Sequence, residues 1–268
     1  MTTLTAALGD GAVITRRNVI KIKRVPDLLI IGMLSPIMFV LLFAYVFGSA
    51  VVLPGGGDYR EFLMAGIFTQ TVVLSTTITG VGLAEDMQKG IIDRFRTLPI
   101  SRSAVLVGRT TSDLVNNLLV VATMSLAGLV VGWRVNTSVG EALLGFALLL
   151  AFAYAVSWIM AVVGLAVRSP EVVNNASFVV VFALTFVANT FVPSEGLPGP
   201  LRVFAQWNPV SAVTEAVRQL FGNNPPGYVA PDVWPLQNPI AASLGWIVVI
   251  LLVFVPLSVQ QYQKATSR

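Results

Sequence analysis

The sequence contains no cysteine and no histidine. Without cysteine, the chain of 268 residues has neither a disulfide framework nor a thiolate metal site. Without histidine, it lacks the commonest general base and the commonest metal ligand. Charge is also scarce, because Asp, Glu, Lys and Arg make up 11% of the chain, whereas soluble domains carry about 25%. The low charge indicates a membrane protein.

Hydrophobic residues make up 55% of the chain and raise its mean hydropathy to +0.80. Crossing a bilayer takes roughly 20 mostly apolar residues, and six runs meet that length. They are Leu28–Ser49, Phe62–Ala84, Leu114–Gly132, Ala142–Val167, Val172–Val192 and Ile240–Val259. None contains Asp, Glu, Lys or Arg within these limits. The sequence predicts an all-α polytopic membrane protein with six transmembrane helices, in which residues 1–268 form a single transmembrane domain.

Lysine and arginine are distributed unequally between the segments that join these runs. If the N-terminus lies inside, the outer segments hold only four of the 17 basic residues, Arg60, Arg134, Arg202 and Arg218. Positive residues concentrate on the cytoplasmic side of membrane proteins. We therefore predict a multi-pass protein with both termini in the cytoplasm.

Residues 1–26 are predicted to form a cytoplasmic or interfacial N-terminus. Ile14, Val19, Ile22 and Val25 share one side of a helix, and basic residues cover the other side. This pattern is typical of a helix that lies on the inner membrane surface. A disordered basic tail is the alternative.

Residues 85–109 form the predicted cytoplasmic loop after the second run, and eight of these 25 residues are charged. Basic residues here fix the topology, but the apolar residues among them need another explanation. Ile91, Phe95 and Leu98 lie at positions i, i+4 and i+7, on one face of a short helix, and Pro99 ends that helix. Such a helix either lies on lipid headgroups or docks on a cytoplasmic partner.

Residues 193–239 form the predicted outer connection before the last run. Asn208 is a typical N-cap and Pro209 a typical first helical residue. The helix PVSAVTEAVRQLF follows, and Gly222 can end it. Two short helices that re-enter the outer leaflet fit this segment, and an external amphipathic hairpin fits it equally well.

The fifth run has two unlike faces. At 100° per residue its amide, hydroxyl and aromatic side chains share one side, and the other side is aliphatic. Because a polar face turns away from lipid, we predict a substrate path that includes Asn174, Phe178, Phe182, Thr185 and Asn189. Helix packing sealed by asparagine hydrogen bonds is the alternative.

The second run adds hydroxyl groups to the predicted substrate path, among them those of Thr69 and Thr76. Such hydroxyls also commonly bond back to their own helix or pack against neighbouring helices. Both interpretations of the second run remain open.

The sequence offers no energy source for active transport. It has no Gly-Lys pair and hence no P-loop, and its predicted spans hold no ionisable residue to bind a coupling ion. A membrane enzyme would need a nucleophile with a base or a carboxylate metal site, but Glu85-Asp86 is the only adjacent acidic pair. We predict no catalytic residue and no metal site. Active transport would need another chain, and an ATP-independent channel is the alternative.

Two segments of the sequence resemble those of a known family. The stretch EDMQKGIIDRFRTLPISRSAVLVGR resembles the loop after the second span of ABC-2-type transporter permeases, in particular the daunorubicin-resistance-like drug-export branch. The matching positions are Glu85, Gly90, Ile91–Arg96, Leu98, Pro99 and Arg109. The stretch WNPVSAVTEAVRQLFG resembles the second family signature through Asn208, Pro209 and Arg218. The order of spans and connections also resembles that of the family.

The resemblance implies that the loop docks on a separate ATPase subunit. The residues it assigns to this coupling loop are Glu85, Gly90, Ile91, Asp93, Arg94, Phe95, Arg96, Leu98 and Pro99. It implies a dimer of permeases, identical or homologous, with two ATPase subunits that hold ATP and Mg²⁺, and no cofactor in this chain. We expect an exporter of amphipathic drugs, natural products or lipids in a bacterial cell membrane, in contact with lipids and not with nucleic acid. An exporter of a lipid or polymer for the cell envelope is the alternative.

Overall fold

The computed structural model describes residues 34, 36–47, 56–91, 102–167 and 169–266. Within these ranges the secondary structure is helical, and no residue there lies in a strand. The predicted all-α class is confirmed. The predicted N-terminal surface helix lies outside the described residues, and so does most of the amphipathic segment of the cytoplasmic loop.

Helix α1 spans Pro36–Val46 and ends in a π-helical turn at Phe43–Phe47. It covers part of the predicted first span, whose other residues lie outside the described ranges. The next described helix is α2, Tyr59–Ser75, which begins where the Asp58 side chain accepts a hydrogen bond from the Arg60 N–H at 2.9 Å. An aspartate at this position satisfies one of the free N–H groups of the first turn.

The second predicted span consists of two helices, α2 and α3, where α3 spans Thr77–Gln88. They meet at Thr76, whose N–H bonds to the Val73 carbonyl three residues back, at 3.2 Å. The hydroxyls of Ser75 and Thr76 donate to the carbonyls of Val72 and Val73, at 3.0 and 2.6 Å. Such bonds from side chain to preceding carbonyl bend helices, which accounts for the break.

Helix α4 spans Arg102–Val131 and so begins 12 residues before the predicted start of the third span at Leu114. Its 30 residues extend for about 45 Å at 1.5 Å per residue, longer than the roughly 30 Å hydrocarbon core. The prediction stopped at Asp113, where the run of uncharged residues ends. The helix continues because Arg109 and Asp113 form an ion pair and the nearby Thr110 and Ser112 hydroxyls bond to carbonyls of their own helix.

Helix α5 spans Val139–Ala166 and starts with a capping box, in which Ser138 and Glu141 satisfy each other's backbone N–H groups. Helix α6 spans Pro170–Phe186 and starts with Ser169 as its cap. The predicted fifth span continued to Val192, and this limit is wrong by six residues. The chain unwinds after Phe186 because carbonyls of the next residues bond to side chains of other helices, as described below.

The outer connection contains a 3-10 turn at Ser194–Gly196 and three helices: α7 at Gly199–Trp207, α8 at Pro209–Phe221 and α9 at Trp234–Gln237. The predicted caps of α8 are confirmed. Asn208 accepts a hydrogen bond from the Val210 N–H at 2.9 Å, and Gly222 ends the helix with φ +67°, a conformation that glycine adopts without strain. Helix α10 spans Pro239–Thr266.

Four described helical segments are long and apolar enough to cross a membrane: Tyr59–Gln88, Val105–Val131, Val139–Ala166 and Pro239–Lys264. Helices α1 and α6 are apolar but shorter, so the count of six spans stays a prediction. The segment Tyr59–Gln88 is the most buried of the four and forms the centre of the bundle.

Candidate functional site

The polar and aromatic face predicted for the fifth span lies largely outside the packed bundle. Asn174, Asn175 and Phe178 are exposed and Phe182 is half-buried. The side of α6 that packs on the other helices is carried by Val173, Ser177, Val181 and Thr185. We call the exposed surface of Asn174, Asn175, Phe178 and Phe182 the open face of α6. Its amide and aromatic side chains are among those that the sequence predicted to line the substrate path.

Phenylalanine rings continue from the open face of α6 to helix α1. Neighbouring ring centroids lie 5.4 Å apart for Phe178 and Phe182 and 4.1 Å for Phe182 and Phe186. The row continues through Phe191 to Phe43, with centroid separations of 4.9 and 4.6 Å. These separations fall within or just below the usual range for aromatic pairs. The row links α6 to α1 through Phe191, which is itself buried.

Thr185 and Asn189, also predicted for the path, are buried. The Thr185 hydroxyl donates to the Val181 carbonyl of its own helix at 2.9 Å. Asn189 lies beyond the end of α6, and its amide Nδ2 donates to Glu215 Oε2 at 3.2 Å. These two side chains therefore lie in contacts within the bundle, as the packing alternative predicted for Asn189.

The hydroxyls predicted from the second run, those of Thr69 and Thr76, are buried at the centre of the bundle. Thr69 donates to the Ala65 carbonyl at 2.9 Å and Thr76 to the Val73 carbonyl at 2.6 Å. Both hydroxyls thus bond back to their own helix. This contact satisfies them without a substrate and corresponds to the alternative that the sequence left open.

The cytoplasmic loop is described at its two ends. Glu85 belongs to the last turns of α3 and accepts a hydrogen bond from Lys89 Nζ at 2.9 Å, which raises the pKa of Lys89. Gly90 follows the helix with φ +63°, and Ile91 is the last described residue before the gap. The other proposed coupling residues lie outside the described ranges: Asp93, Arg94, Phe95, Arg96, Leu98 and Pro99.

Arg218 was predicted to lie in an outer segment. The buried ion pair that it forms with Glu215 was not predicted from the sequence. Arg218 Nη1 lies 3.4 Å from Glu215 Oε2, with both side chains almost fully buried. The guanidinium also donates to the carbonyls of Phe62, Asn189 and Thr190, at 3.0, 2.6 and 3.1 Å. Arg218 therefore joins helix α8 to α2 and to the unwound segment after α6.

The Glu215 carboxylate is equally well satisfied. Besides Arg218 and Asn189, it has hydrogen bonds with the side chains of Asn224 and Tyr228. Buried charges are tolerated when they are paired and hydrogen-bonded. The sequence signal for this cluster was the spacing of Glu215 and Arg218, which places both on one face of α8.

The architecture is that of a helical multi-pass membrane protein, with a charge pair within each of helices α4 and α8 and a polar, aromatic helix face on its surface. Comparison with known proteins identifies the family. The chain belongs to the ABC-2 type transporter family, whose model matches residues 11–221. The resemblance found in the loop and in the Asn208-Pro209 segment is thereby confirmed.

Proteins that are similar to this chain are also named as permeases. The daunorubicin resistance ABC transporter permease protein DrrB1 of Streptomyces coeruleorubidus is 32% identical over 94% of this chain and 85% of its own length. A protein of Porphyra purpurea, named as a transport permease, ycf38, is 25% identical over 89% of this chain and 82% of its own length. Permease subunits of this family are not enzymes themselves, and membership implies an ABC ATPase as partner.

Proposed function

We propose that this chain is the permease subunit of an ATP-driven exporter in a bacterial cell membrane. It moves amphipathic drugs, natural products or lipids out of the cell, with both termini in the cytoplasm. Two copies of a separate ATPase subunit bind ATP and Mg²⁺ and supply the energy. A second permease, identical or homologous, completes the transport unit. Similarity to a permease named for daunorubicin resistance supports a drug or natural product as cargo.

The observation that carries this proposal is the open face of α6. Asn174 and Asn175 expose two amide side chains on a helix of a membrane bundle. Polar groups that face hydrocarbon without a partner are costly, so such faces normally turn toward protein or a water-filled cavity. The aromatic rings beside them supply apolar contact surface. Amide and aromatic groups together fit cargo that is apolar with a few polar groups.

The second permease would cover the open face of α6 and shield it from lipid. A path formed between two permeases would enclose the open face of α6 away from lipid. Most soluble oligomers are symmetric, and a twofold pair places the same surface of each subunit at the interface. A path there would be lined by two copies of the Phe178 and Phe182 rings.

The test compares two exposed side chains on different sides of α6. Phe178 is 53% and Val180 is 64% exposed, so neither contributes much to the fold of the bundle. In proteoliposomes that contain the permease and its ATPase, Phe178→Ala is expected to raise the concentration of an amphipathic dye that gives half-maximal ATPase stimulation. The loss of one ring contact, about 0.5–1.5 kcal/mol, corresponds to roughly a 2–10-fold change.

Val180→Ala is the matched control and is expected to leave the dye response and the complex yield unchanged. Equal responses of the two variants would show that the path does not follow the open face of α6. A wild-type complex that forms with the ATPase but moves no dye or lipid on ATP addition would refute the proposed function itself.

A further inference from the structure

A second polar cluster lies between helices α3 and α4, separate from the open face of α6. On α4, Arg109, Asp113 and Asn117 are four residues apart and therefore follow one stripe of the helix. Opposite this stripe lie Ser75 and Thr79, on either side of the break at Thr76. The cluster therefore lies where the second predicted span changes direction.

Direct contacts join α4 to both halves of the broken helix. On α3 the Thr79 hydroxyl donates to Asp113 Oδ2, and at the end of α2 the Ser75 hydroxyl donates to Asn117 Oδ1. Arg109 Nη2 donates to the Ile78 carbonyl at 2.8 Å. Asp113 is 7% exposed, and a carboxylate so buried is stable only while its partners remain in place. Separation of α3 from α4 would remove the Thr79 hydroxyl from Asp113 and leave Arg109 of α4 as its partner.

Helix α3 is shaped to receive the Arg109 side chain. A Cβ atom at Gly82 would lie 1.9 Å from Arg109 Nη2 and 2.3 Å from Cζ. The guanidinium therefore lies directly against the backbone of α3, where any larger residue would displace it. Gly82 and Thr79 are three residues apart and present one surface of α3 to the ion pair.

The two halves of the broken helix share α4 as a neighbour, since α4 bonds to Ser75 at the end of α2 as well as to Thr79 of α3. Helix α2 is joined to α8 and to the segment after α6, through the hydrogen bonds of Arg218 to the carbonyls of Phe62 and Thr190. Helix α3 is joined to α4 through the cluster at Asp113. The break at Thr76, where an N–H bonds three residues back instead of four, is the place where the two halves can change their angle with the least loss of hydrogen bonds.

We infer that Thr79, Arg109 and Asp113 form a clamp that makes α3 and residues 102–118 of α4 move as one body about Thr76, with the contact between Ser75 and Asn117 at the pivot. These two helices enclose the cytoplasmic loop, so the clamp delivers a movement of the loop to both helices together. The three are positioning residues and do not contact cargo. The inference builds on the proposed function, because it assigns the part that passes ATPase movement to the bundle.

The absence of native cysteine allows a direct measurement. Spin labels at Gln88→Cys and Leu118→Cys occupy exposed sites on α3 and α4, and their separation is measured by pulsed electron paramagnetic resonance. In the complex with the ATPase we expect one narrow distance distribution that ATP does not change. Thr79→Val, which removes the hydroxyl but keeps the shape, is expected to broaden it, and Thr79→Ser to restore it.

Thr110→Val is the matched control, because the buried Thr110 hydroxyl bonds to the Leu106 carbonyl of its own helix at 3.0 Å and takes no part in the clamp. We expect transport per ATP hydrolysed to fall about fivefold or more in Thr79→Val, the lower end of typical coupling between linked sites, and to stay unchanged in Thr110→Val. A general loss of stability would affect both variants alike.

Two results would overturn the inference. One is an ATP-dependent change of the distance between Gln88 and Leu118 in the parent complex. The other is an equal distance distribution for Thr79→Val and Thr110→Val.

If Thr79→Val does not accumulate, Gly82→Ala displaces the guanidinium without removing a polar group and must broaden the distribution. A parent complex that transports nothing refutes the proposed function, whereas the distances in the permease still decide for or against the clamp.

Discussion

Gly66 in helix α2 is the position where the smallest change of side chain is expected to have a large effect on stability. A Cβ atom at Gly66 would lie 1.9 Å from the Thr190 carbonyl oxygen and 2.6 Å from its carbon. Cβ contacts below 3.0 Å are essentially never seen. Gly66→Ala therefore requires the backbone at Thr190 to retreat by about 1.1 Å, the difference between 3.0 and 1.9 Å.

The cost has two parts. Inserting a methyl group into a close-packed site costs about 1–3 kcal/mol. The Thr190 carbonyl also accepts a hydrogen bond from Arg218 at 3.1 Å, and a lost hydrogen bond to a charged group costs about 1.5–3 kcal/mol. If the retreat breaks this bond, the free energy of unfolding falls by about 2.5–6 kcal/mol, the sum of the two.

The assay is thermal unfolding of the purified permease in detergent, with Gly245→Ala as the matched control. Gly245 is also helical, and a Cβ atom there would meet nothing within 4 Å. Because alanine favours helix over glycine by about 0.8–1 kcal/mol, the control is expected to melt at the same or a slightly higher temperature. A Gly66→Ala protein that melts with the control would refute the close approach of the segment after α6 to α2.

Two further predictions concern the cytoplasmic loop and the orientation of the chain. Phe95→Asp is expected to abolish copurification of the ATPase while the permease still inserts, because the change adds charge to an apolar face outside the spans; pull-down with normal ATPase yield would remove the docking hypothesis. Single cysteines at Ser101 and Gly56 are expected to react with an impermeant maleimide from the cytoplasmic side and from the outside, respectively. Labelling of Ser101 from outside would reverse the orientation.

Features of the fold that depend on local sequence were predictable. Asn208, Pro209 and Gly222 start and end helix α8 as predicted, because capping is decided by the residue itself and its nearest neighbours. The all-helical class followed from the apolar runs for a similar reason. A helix that spans a bilayer satisfies its backbone hydrogen bonds within one segment. The sequence of that segment alone is therefore enough to predict that it is helical.

Helix ends that depend on contacts between distant segments of the chain were not predictable from the sequence. The start of α4 was missed because a charged residue normally ends an apolar run, whereas Asp113 is accommodated by Thr79 of another helix. Asn189 was placed on a helix face by extending a period of 100° beyond Phe186, where the helix in fact ends. The partner that holds its backbone carbonyl, Arg218, is 29 residues further along the chain.

The buried charge pairs have a consequence for how the chain enters the membrane. Arg109 and Asp113 are four residues apart, and Glu215 and Arg218 are three apart, so each pair forms within a single helix. A lone charge at the centre of a spanning helix costs about 2.5–3.5 kcal/mol on insertion scales. Here Asp113 has its counter-ion, Arg109, on the same helix. Helix α4 can therefore enter the membrane without a counter-ion from any later segment of the chain.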